Sequence, residues 1–307
     1  MAMIEVGYEV TDSRGAKGRL MIRGGIWAGD ECVFEFTDTL FGLLGTARCN
    51  WRHTAPRLEV HAGDPSQPEA RAMLQKVSEM LLPFHTGAFR DVTDAELAAL
   101  YAGDYHRSQN YATNSDFETN FKRAFVNLLL HVTKPRKVLD AGCSAGEVVR
   151  QLRERGVDAW GFDLCRDLDA IAYPEVAPYL RQGDMAAIPF GPEDGFDTVL
   201  ALDVFEHLPE HRIADMLAEF VRLGVKRVLA RIAVCEFQYE GHITLRPLTW
   251  WDEQLQPFFR RRSERESCAH TATVMNATPS LYLVIYELVE TPTVVMPQRT
   301  TPMPAHV

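Results

Sequence analysis

The chain has no run of about 18 apolar residues, so it offers no candidate membrane span. Its opening, Met-Ala-Met-Ile-Glu-Val-Gly-Tyr-Glu-Val, has neither a basic n-region nor an apolar h-region, and no signal peptide is expected there. The six cysteines, at positions 32, 49, 143, 165, 235 and 268, form no close pair in sequence. Without a Cys-x-x-Cys, the common zinc and dithiol motifs are excluded. Scattered cysteines with no secretion signal read as reduced thiols, and the expected compartment is the cytoplasm. Positive charge is also scarce. Against 42 Asp and Glu stand 32 Lys and Arg, giving a formal net charge of −10. This argues against a broad phosphate-binding surface, so a nucleic-acid partner is not expected.

What remains is ordinary globular material. Of 307 residues, 46% are apolar and 24% charged, enough for a sizeable core and more than one typical domain needs. Residues 1–90 read as a β-rich domain with one helix. Gly18 to Ile26, Glu31 to Thr37, Gly45 to Trp51 and Arg57 to His61 are short apolar or alternating runs, punctuated by Gly24-Gly25, Gly29-Asp30 and Gly63-Asp64. A helix is predicted over 66–82 from Ala70, Met73, Leu74, Val77, Met80 and Leu81 at 3.6-residue spacing, with Pro83 closing it. Residues 83–92 then read as a linker. A short helix follows at 93–102, capped by Thr93 or Asp94 and stopped by Gly103.

From about residue 104 strands and helices alternate. Helices are predicted over Ser115 to His131, Gly146 to Arg155, Pro209 to Leu223 and Trp250 to Pro257. Strands are predicted over Lys137 to Asp140, Val157 to Asp163, Tyr179 to Asp184, Phe196 to Leu202, Lys226 to Val234, Phe259 to Ser267 and Leu281 to Val289. Such alternation implies right-handed crossovers and a parallel sheet. Residues 291–307 carry four prolines and no periodicity, and read as a tail.

The chemistry-bearing stretch is Val138-Leu-Asp-Ala-Gly-Cys-Ser-Ala-Gly146, a buried strand running into a glycine turn. Such a turn aims backbone N–H groups at a ligand from a helix N-terminus. Asp163 closes the next strand, 17 residues after Gly146, and an acid beside a glycine turn makes a nucleoside site. The pattern is not Gly-x-Gly-x-x-Gly. Ser144 stands at the middle glycine position and Glu147 at the third. With Asp140 at the strand end, these acids suit a cationic ligand better than a diphosphate.

These residues resemble the first motif of class I S-adenosylmethionine-dependent methyltransferases, and the resemblance covers residues 104–290. It implies an α/β fold with a Rossmann-like, mostly parallel seven-stranded sheet over 91–290, and S-adenosylmethionine as cofactor. It also implies a cofactor site built from Asp140, Gly142, Ser144, Gly146, Asp163, Leu164, Asp184, Met185, Asp203 and Tyr111. By resemblance Asp163 holds the ribose hydroxyls, and Gln182-Gly183-Asp184-Met185 reads the adenine. Leu202-Asp203-Val204-Phe205-Glu206-His207-Leu208 walls the methionine part. Ser144 is expected in a backbone conformation that is not left-handed. The Tyr105 to Tyr111 region resembles a lid, in which Tyr105, Arg107 or Tyr111 would meet the methionine carboxylate.

Catalytic candidates are Glu206, His207 and His242, with His207 as general base; capping of the helix near Pro209 is the alternative for Glu206-His207. Asp203-x-x-Glu206-His207 followed by His242 also resembles the metal-binding pattern of ubiquinone-pathway O-methyltransferases and small-RNA 2′-O-methyltransferases. That resemblance implies a divalent ion, although Asp203 is shorter than the Glu usual there. Trp250 and Trp251 either pack a helix or stack a substrate. Arg260-Arg261-Arg262 and Arg265 read as a solvated strand edge.

Three functions stay open. One is methyl transfer to O or N of a small-molecule acceptor, such as a natural-product or sugar intermediate, with residues 1–90 shaping the acceptor pocket or a homodimer contact. The second is metal-assisted RNA 2′-O-methylation. The third is cofactor binding without catalysis.

Overall fold

The computed structural model describes residues 4–28, 31–50, 55–86, 92–102, 116–234, 241–262 and 281–289. Alternation builds the N-terminal part. In β3 (Glu31–Asp38) every second residue is buried, from Cys32 through Phe34 and Phe36 to Asp38. That is the period of a strand with one face on a core. β1 (Ile4–Thr11), β2 (Lys17–Ala28), β3, β4 (Leu44–Asn50) and β5 (Arg57–Ala62) form an antiparallel meander in chain order. β1 is not among the expected strands, yet it pairs with β2 along its whole length.

Helix α1 (Pro68–Thr86) buries Ala70, Met73, Val77 and Leu81 and lies against β4. The expected stop at Pro83 does not occur, because the helix continues to Thr86. Proline inside a helix costs about 3 kcal/mol, and the apolar stripe packed on the sheet outweighs a local breaker. Residues 83–86 of the expected linker are therefore helical, and 87–91 lie outside the described residues. The register also sets Cys32 opposite Cys49, both fully buried, which their spacing in sequence conceals.

The second sheet is seven-stranded and mostly parallel. Its strands are β6 (Lys137–Ala141), β7 (Asp158–Asp163), β8 (Leu180–Gln182), β9 (Thr198–Leu202), β10 (Arg227–Ala233), β11 (Phe259–Arg261) and β12 (Leu281–Leu288). The order is β11-β12-β10-β9-β6-β7-β8, with β12 antiparallel to both neighbours. The chain steps from β6 outward to β7 and β8, then returns to β9 on the other side. The crevice above the C-terminal ends of β6 and β9 is thus the topological switch point, where ligands of open α/β sheets sit.

Helices α2 (Asp94–Ala102), α3 (Asp116–Thr133), α4 (Glu147–Glu154), α5 (Leu168–Ile171), α6 (Glu210–Arg222) and α7 (Leu248–Leu255) accompany this sheet. α2 starts with a capping box: the Glu96 N–H donates to Thr93 Oγ1, and the Thr93 N–H donates to the Glu96 carboxylate at 2.9 Å. The cap is therefore Thr93. The strand expected over Phe259 to Ser267 is seen as three residues, and its remainder beyond Arg262 lies outside the described residues, as do the Pro-containing tail and Arg265. Within that run, Arg261 pairs with Asp252 and Arg262 with Glu287, while Arg260 is exposed. No helix among the described residues is long and apolar enough to cross a membrane.

One face of the sheet rests on an aromatic cluster. Phe205 meets Trp251 at 5.6 Å between ring centroids, and Phe220 stands edge-on to Phe259 at 6.5 Å. Trp250 and Trp251 contact each other and are buried in this core, so they pack a helix. Phe220, from α6, is fully buried between Phe205 and Phe259. Phe220→Ala is expected to cost about 3–5 kcal/mol, read as a lower urea midpoint at unchanged slope; a loss below 1 kcal/mol would show the core refilling the space.

Candidate active site

The glycine turn follows from β6 running buried up to Ala141 and then reversing. Gly142 sits at φ 76° and Gly146 at φ 85°, a region open to glycine at little cost. A side chain on Gly142 would also press within 2.6 Å of Val204 Cγ2. The turn and the segment after β9 are therefore in direct contact. The N–H groups of Gly142 and Cys143 both donate to the Phe162 carbonyl, at 2.9 and 3.1 Å, which ties the turn to β7.

Asp163 holds the turn. Its Oδ2 accepts the Ser144 N–H at 2.8 Å and its Oδ1 accepts the Cys165 N–H at 2.9 Å. Ser144 has φ 47°. The expectation that it avoids the left-handed region is thus wrong. Strain of that kind costs of order 1–3 kcal/mol, and the hydrogen bond to Asp163 offsets it. The Ser144 hydroxyl is buried and meets no hydrogen-bond partner.

Glu147 also departs from expectation. It does not face a ligand. It is buried and accepts from Arg150 Nε at 2.9 Å and Nη2 at 2.7 Å, and from Gln151 Nε2 at 2.6 Å. Its charge is matched inside α4. Asp140 remains as the buried acid beneath the turn, 3% exposed. Burial pushes its carboxyl up from 3.8 to about 7; Lys122 opposes the rise and Asp163 adds to it.

Further along the crevice, Leu164 packs with Val92, Leu97, Tyr101 and Ile243, so α2 roofs the end of β7. Met185 is buried. Asp184 accepts from Arg212 Nη2 at 2.7 Å and from the Ala186 N–H at 2.8 Å. The buried Arg212 also reaches Asp94 on α2 at 3.2 Å. Tyr111, Tyr105 and Arg107 lie outside the described residues.

After β9, Asp203 adopts φ 55° and its carboxylate pairs with Arg231 of β10. The next residues form a single 3-10 turn, Phe205–His207. Glu206 is fully buried; its Oε1 accepts the Ala233 N–H at 3.0 Å, while Oε2 meets no partner. Desolvation raises the Glu206 carboxyl well above its ordinary range, and Asp203 adds to the rise. The Glu206 carbonyl accepts the N–H groups of Ile243 and Thr244, at 2.7 and 2.9 Å, and this clamps the His242 segment against the turn.

The His207 and His242 rings then meet edge to face at 4.8 Å. One ligand atom from each of Glu206, His207 and His242 lies within 4.8 Å of the others. Asp203, expected as a fourth ligand, is outside this cluster because Arg231 holds it. Nor does Glu206 or His207 cap α6, whose N-terminal residue Pro209 makes no side-chain cap.

Tyr101 was not singled out in the sequence. Its hydroxyl lies 2.7 Å from His207 Nδ1. No motif announced it; the only signal was its place near the end of the helix predicted over 93–102.

A mostly parallel sheet, a switch-point crevice, a strained glycine turn and an acid closing that turn define a nucleoside-binding α/β domain. Residues 138–226 match a family model described as a methyltransferase domain, and the chain carries a class I S-adenosylmethionine-dependent methyltransferase domain. S-adenosylmethionine is the cofactor of this enzyme class. The residues fit that group: an unpartnered buried serine hydroxyl and a carboxylate meet at a turn where glycine is required.

Over 134 residues the chain is 25% identical to magnesium protoporphyrin IX methyltransferase, chloroplastic, of Arabidopsis thaliana, covering 41% of this chain and 43% of that one. It thus spans less than half the length of that relative. Two solved structures are similar in fold at 16% identity. The PH0226 protein of Pyrococcus horikoshii OT3 has a TM-score of 0.49 over 61% of this chain and 99% of its own. The magnesium protoporphyrin IX methyltransferase of Synechocystis PCC 6803 with bound SAH has a TM-score of 0.48 over 65% and 100%.

Two predictions follow from the turn. Asp163→Ala removes the acceptor of the Ser144 and Cys165 N–H groups, and affinity for S-adenosylhomocysteine is expected to fall at least about tenfold, roughly 1.4 kcal/mol, by calorimetry; unchanged affinity would separate Asp163 from the cofactor. The second concerns Asp140. Its folded pKa of about 7 exceeds the ordinary 3.8, so the folded chain keeps a proton that the unfolded chain has released. The stability this gives is complete below the ordinary value and is lost as pH rises through 7. Asp140→Asn is expected to flatten the decline of Tm between about pH 5 and 8; parallel curves for both proteins would contradict the assignment.

Proposed function

We propose that the chain transfers a methyl group from S-adenosylmethionine to a hydroxyl or amine of a small-molecule acceptor bound beside Glu206, His207 and His242. One observation carries this reading: a buried carboxylate and two imidazoles converge next to the glycine turn, whose Gly142 touches Val204. Donor and acceptor sites are thereby adjacent. The sulfonium carries its own leaving group, so in-line displacement needs alignment above all, which supplies about 7–11 kcal/mol in favourable cases. In this reading Asp163 meets the ribose, Leu164 and Met185 the adenine, and the turn from Gly142 to Gly146 the methionine portion. Asp184 would reach the adenine amine only with the oxygen that Arg212 leaves open. His207 takes the acceptor proton.

The net charge of −10 favours a small acceptor over RNA. The Arabidopsis thaliana relative is named for methylation of magnesium protoporphyrin IX, which supports a small-molecule acceptor.

A metal-assisted variant is favoured by the same cluster. Glu206, His207 and His242 form an oxygen, nitrogen, nitrogen donor set suited to a divalent ion. When bound, such an ion would supply Lewis-acid polarisation of an acceptor hydroxyl.

The reading is tested by screening acceptors for S-adenosylhomocysteine release, with and without EDTA. His207→Ala is expected to lower kcat by about 10²–10⁴ while S-adenosylhomocysteine affinity stays within about twofold. Activity undiminished in His207→Ala would remove it from the chemistry. Full activity in EDTA would leave the metal-free route.

A further inference from the structure

We propose that Arg212 is a specificity-determining residue for the cofactor, orienting the Asp184 carboxylate so that Oδ2 alone meets the adenine amine. The proposal rests on the placement of that amine at Asp184 given above. Arg212 lies in the first turn of α6, 28 residues beyond Asp184. Its Nη2 donates to Asp184 Oδ1 at 2.7 Å, and the Ala186 N–H donates to the same oxygen at 2.8 Å. Both donors thus load Oδ1, and among the described residues Oδ2 accepts no hydrogen bond. The Asp184 side chain is 26% exposed against 8% for Arg212, so the carboxylate opens outward from a buried guanidinium.

The loop after β8 does not need Arg212 to stay in place. α6 holds it further along: Glu219 Oε2 accepts the Ile188 N–H at 2.8 Å, and Arg222 Nη2 donates to the Phe190 carbonyl at 2.9 Å. Met185, between Asp184 and those anchors, is buried. What is left to Arg212 is the orientation of one carboxylate. It is braced for that from the other side. Its Nη1 donates to Asp94 Oδ1 of α2 at 3.2 Å, and His211 Nε2 lies 3.0 Å from the same oxygen. A planar guanidinium held by carboxylates on two different elements cannot turn without losing one of them.

A carboxylate is an acceptor only. It can take a hydrogen of an exocyclic amine and has nothing to offer a base that lacks one. A site built to hydrogen-bond a particular group discriminates against the analogue without it, because its own polar atom is then left unpaired. For a bond to a charged group this amounts to about 10–100-fold in affinity. The discrimination requires that the free oxygen be held in one place, and the guanidinium supplies that. Net stability is a poor account of the same pair, since buried ion pairs gain little over well-packed apolar side chains.

The test is calorimetry on the full chain with S-adenosylhomocysteine and with its analogue carrying hydrogen in place of the adenine amine. Wild type is expected to prefer the amine about 10–100-fold. In Arg212→Met the preference is expected to fall below about threefold, with the loss falling on S-adenosylhomocysteine and the analogue's affinity kept within about twofold. A residue that only supported the fold would weaken both ligands alike, and an unchanged preference in Arg212→Met overturns the proposal. The single variant leaves two carboxylates without their shared partner. If it does not fold, Arg212→Met/Asp94→Asn removes the extra charge and is read in the same way. Wild type binding both ligands equally also overturns the proposal and leaves binding of the methyl donor intact. Wild type binding neither ligand removes the functional reading together with it.

Discussion

The carboxylate of Asp163 is the constraint on which the crevice depends. It accepts two backbone N–H groups, from Ser144 in the turn after β6 and from Cys165 beyond β7. One side chain thereby joins two strand ends, and the chain must reverse tightly between them. The left-handed Ser144 and the two glycines that flank it are consequences of that closure. So is the contact of Gly142 with Val204, which brings the segment after β9 alongside the turn. A buried carboxylate accepting backbone N–H groups is also a poor thing to lose, since the donors would be left unsatisfied.

A second anchor stands on the other side of the switch point. Glu206 is held by its backbone and its side chain at once: its carbonyl takes two N–H groups from the His242 segment, and its Oε1 takes the Ala233 N–H. The imidazoles of His207 and His242 are brought together by that backbone pairing. α2 then closes over the crevice through Tyr101 at one end and the Asp94–Arg212–Asp184 chain at the other. The buried Arg212 thus ties the helix to the loop after β8, so the roof and the cofactor side are mechanically linked.

Much of the second sheet was legible, because buried parallel strands read as apolar runs and the helices between them keep a 3.6-residue period. The order of acids at strand ends was legible for the same reason, and Asp163 stands where it was expected. Side-chain partners were not. Glu147 was read as facing a ligand, but Arg150 lies one turn away on the same helix and takes its charge. Asp203 was read as a metal ligand, but Arg231, from the neighbouring strand in space, claims it. Pro83 was read as a stop, but a local breaker says nothing about the sheet packed against its helix.

The sequence by itself determined a nucleoside site on an α/β sheet, because the strand, the glycine turn and the acid that follow one another are local features whose geometry is set by backbone sterics and short-range hydrogen bonding; the methyltransferase class and its cofactor were what the resemblance of those motifs implied. The tertiary structure alone decided which polar groups share the crevice. Tyr101, His207 and His242 are distant in the chain, and only the docking of α2 and the clamping of the His242 segment bring them within reach of one another. Burial supplies the reason that matters most: in a desolvated pocket each carboxylate and imidazole must find a partner, and which partner it finds is a property of the packed molecule, with no counterpart in the spacing of residues.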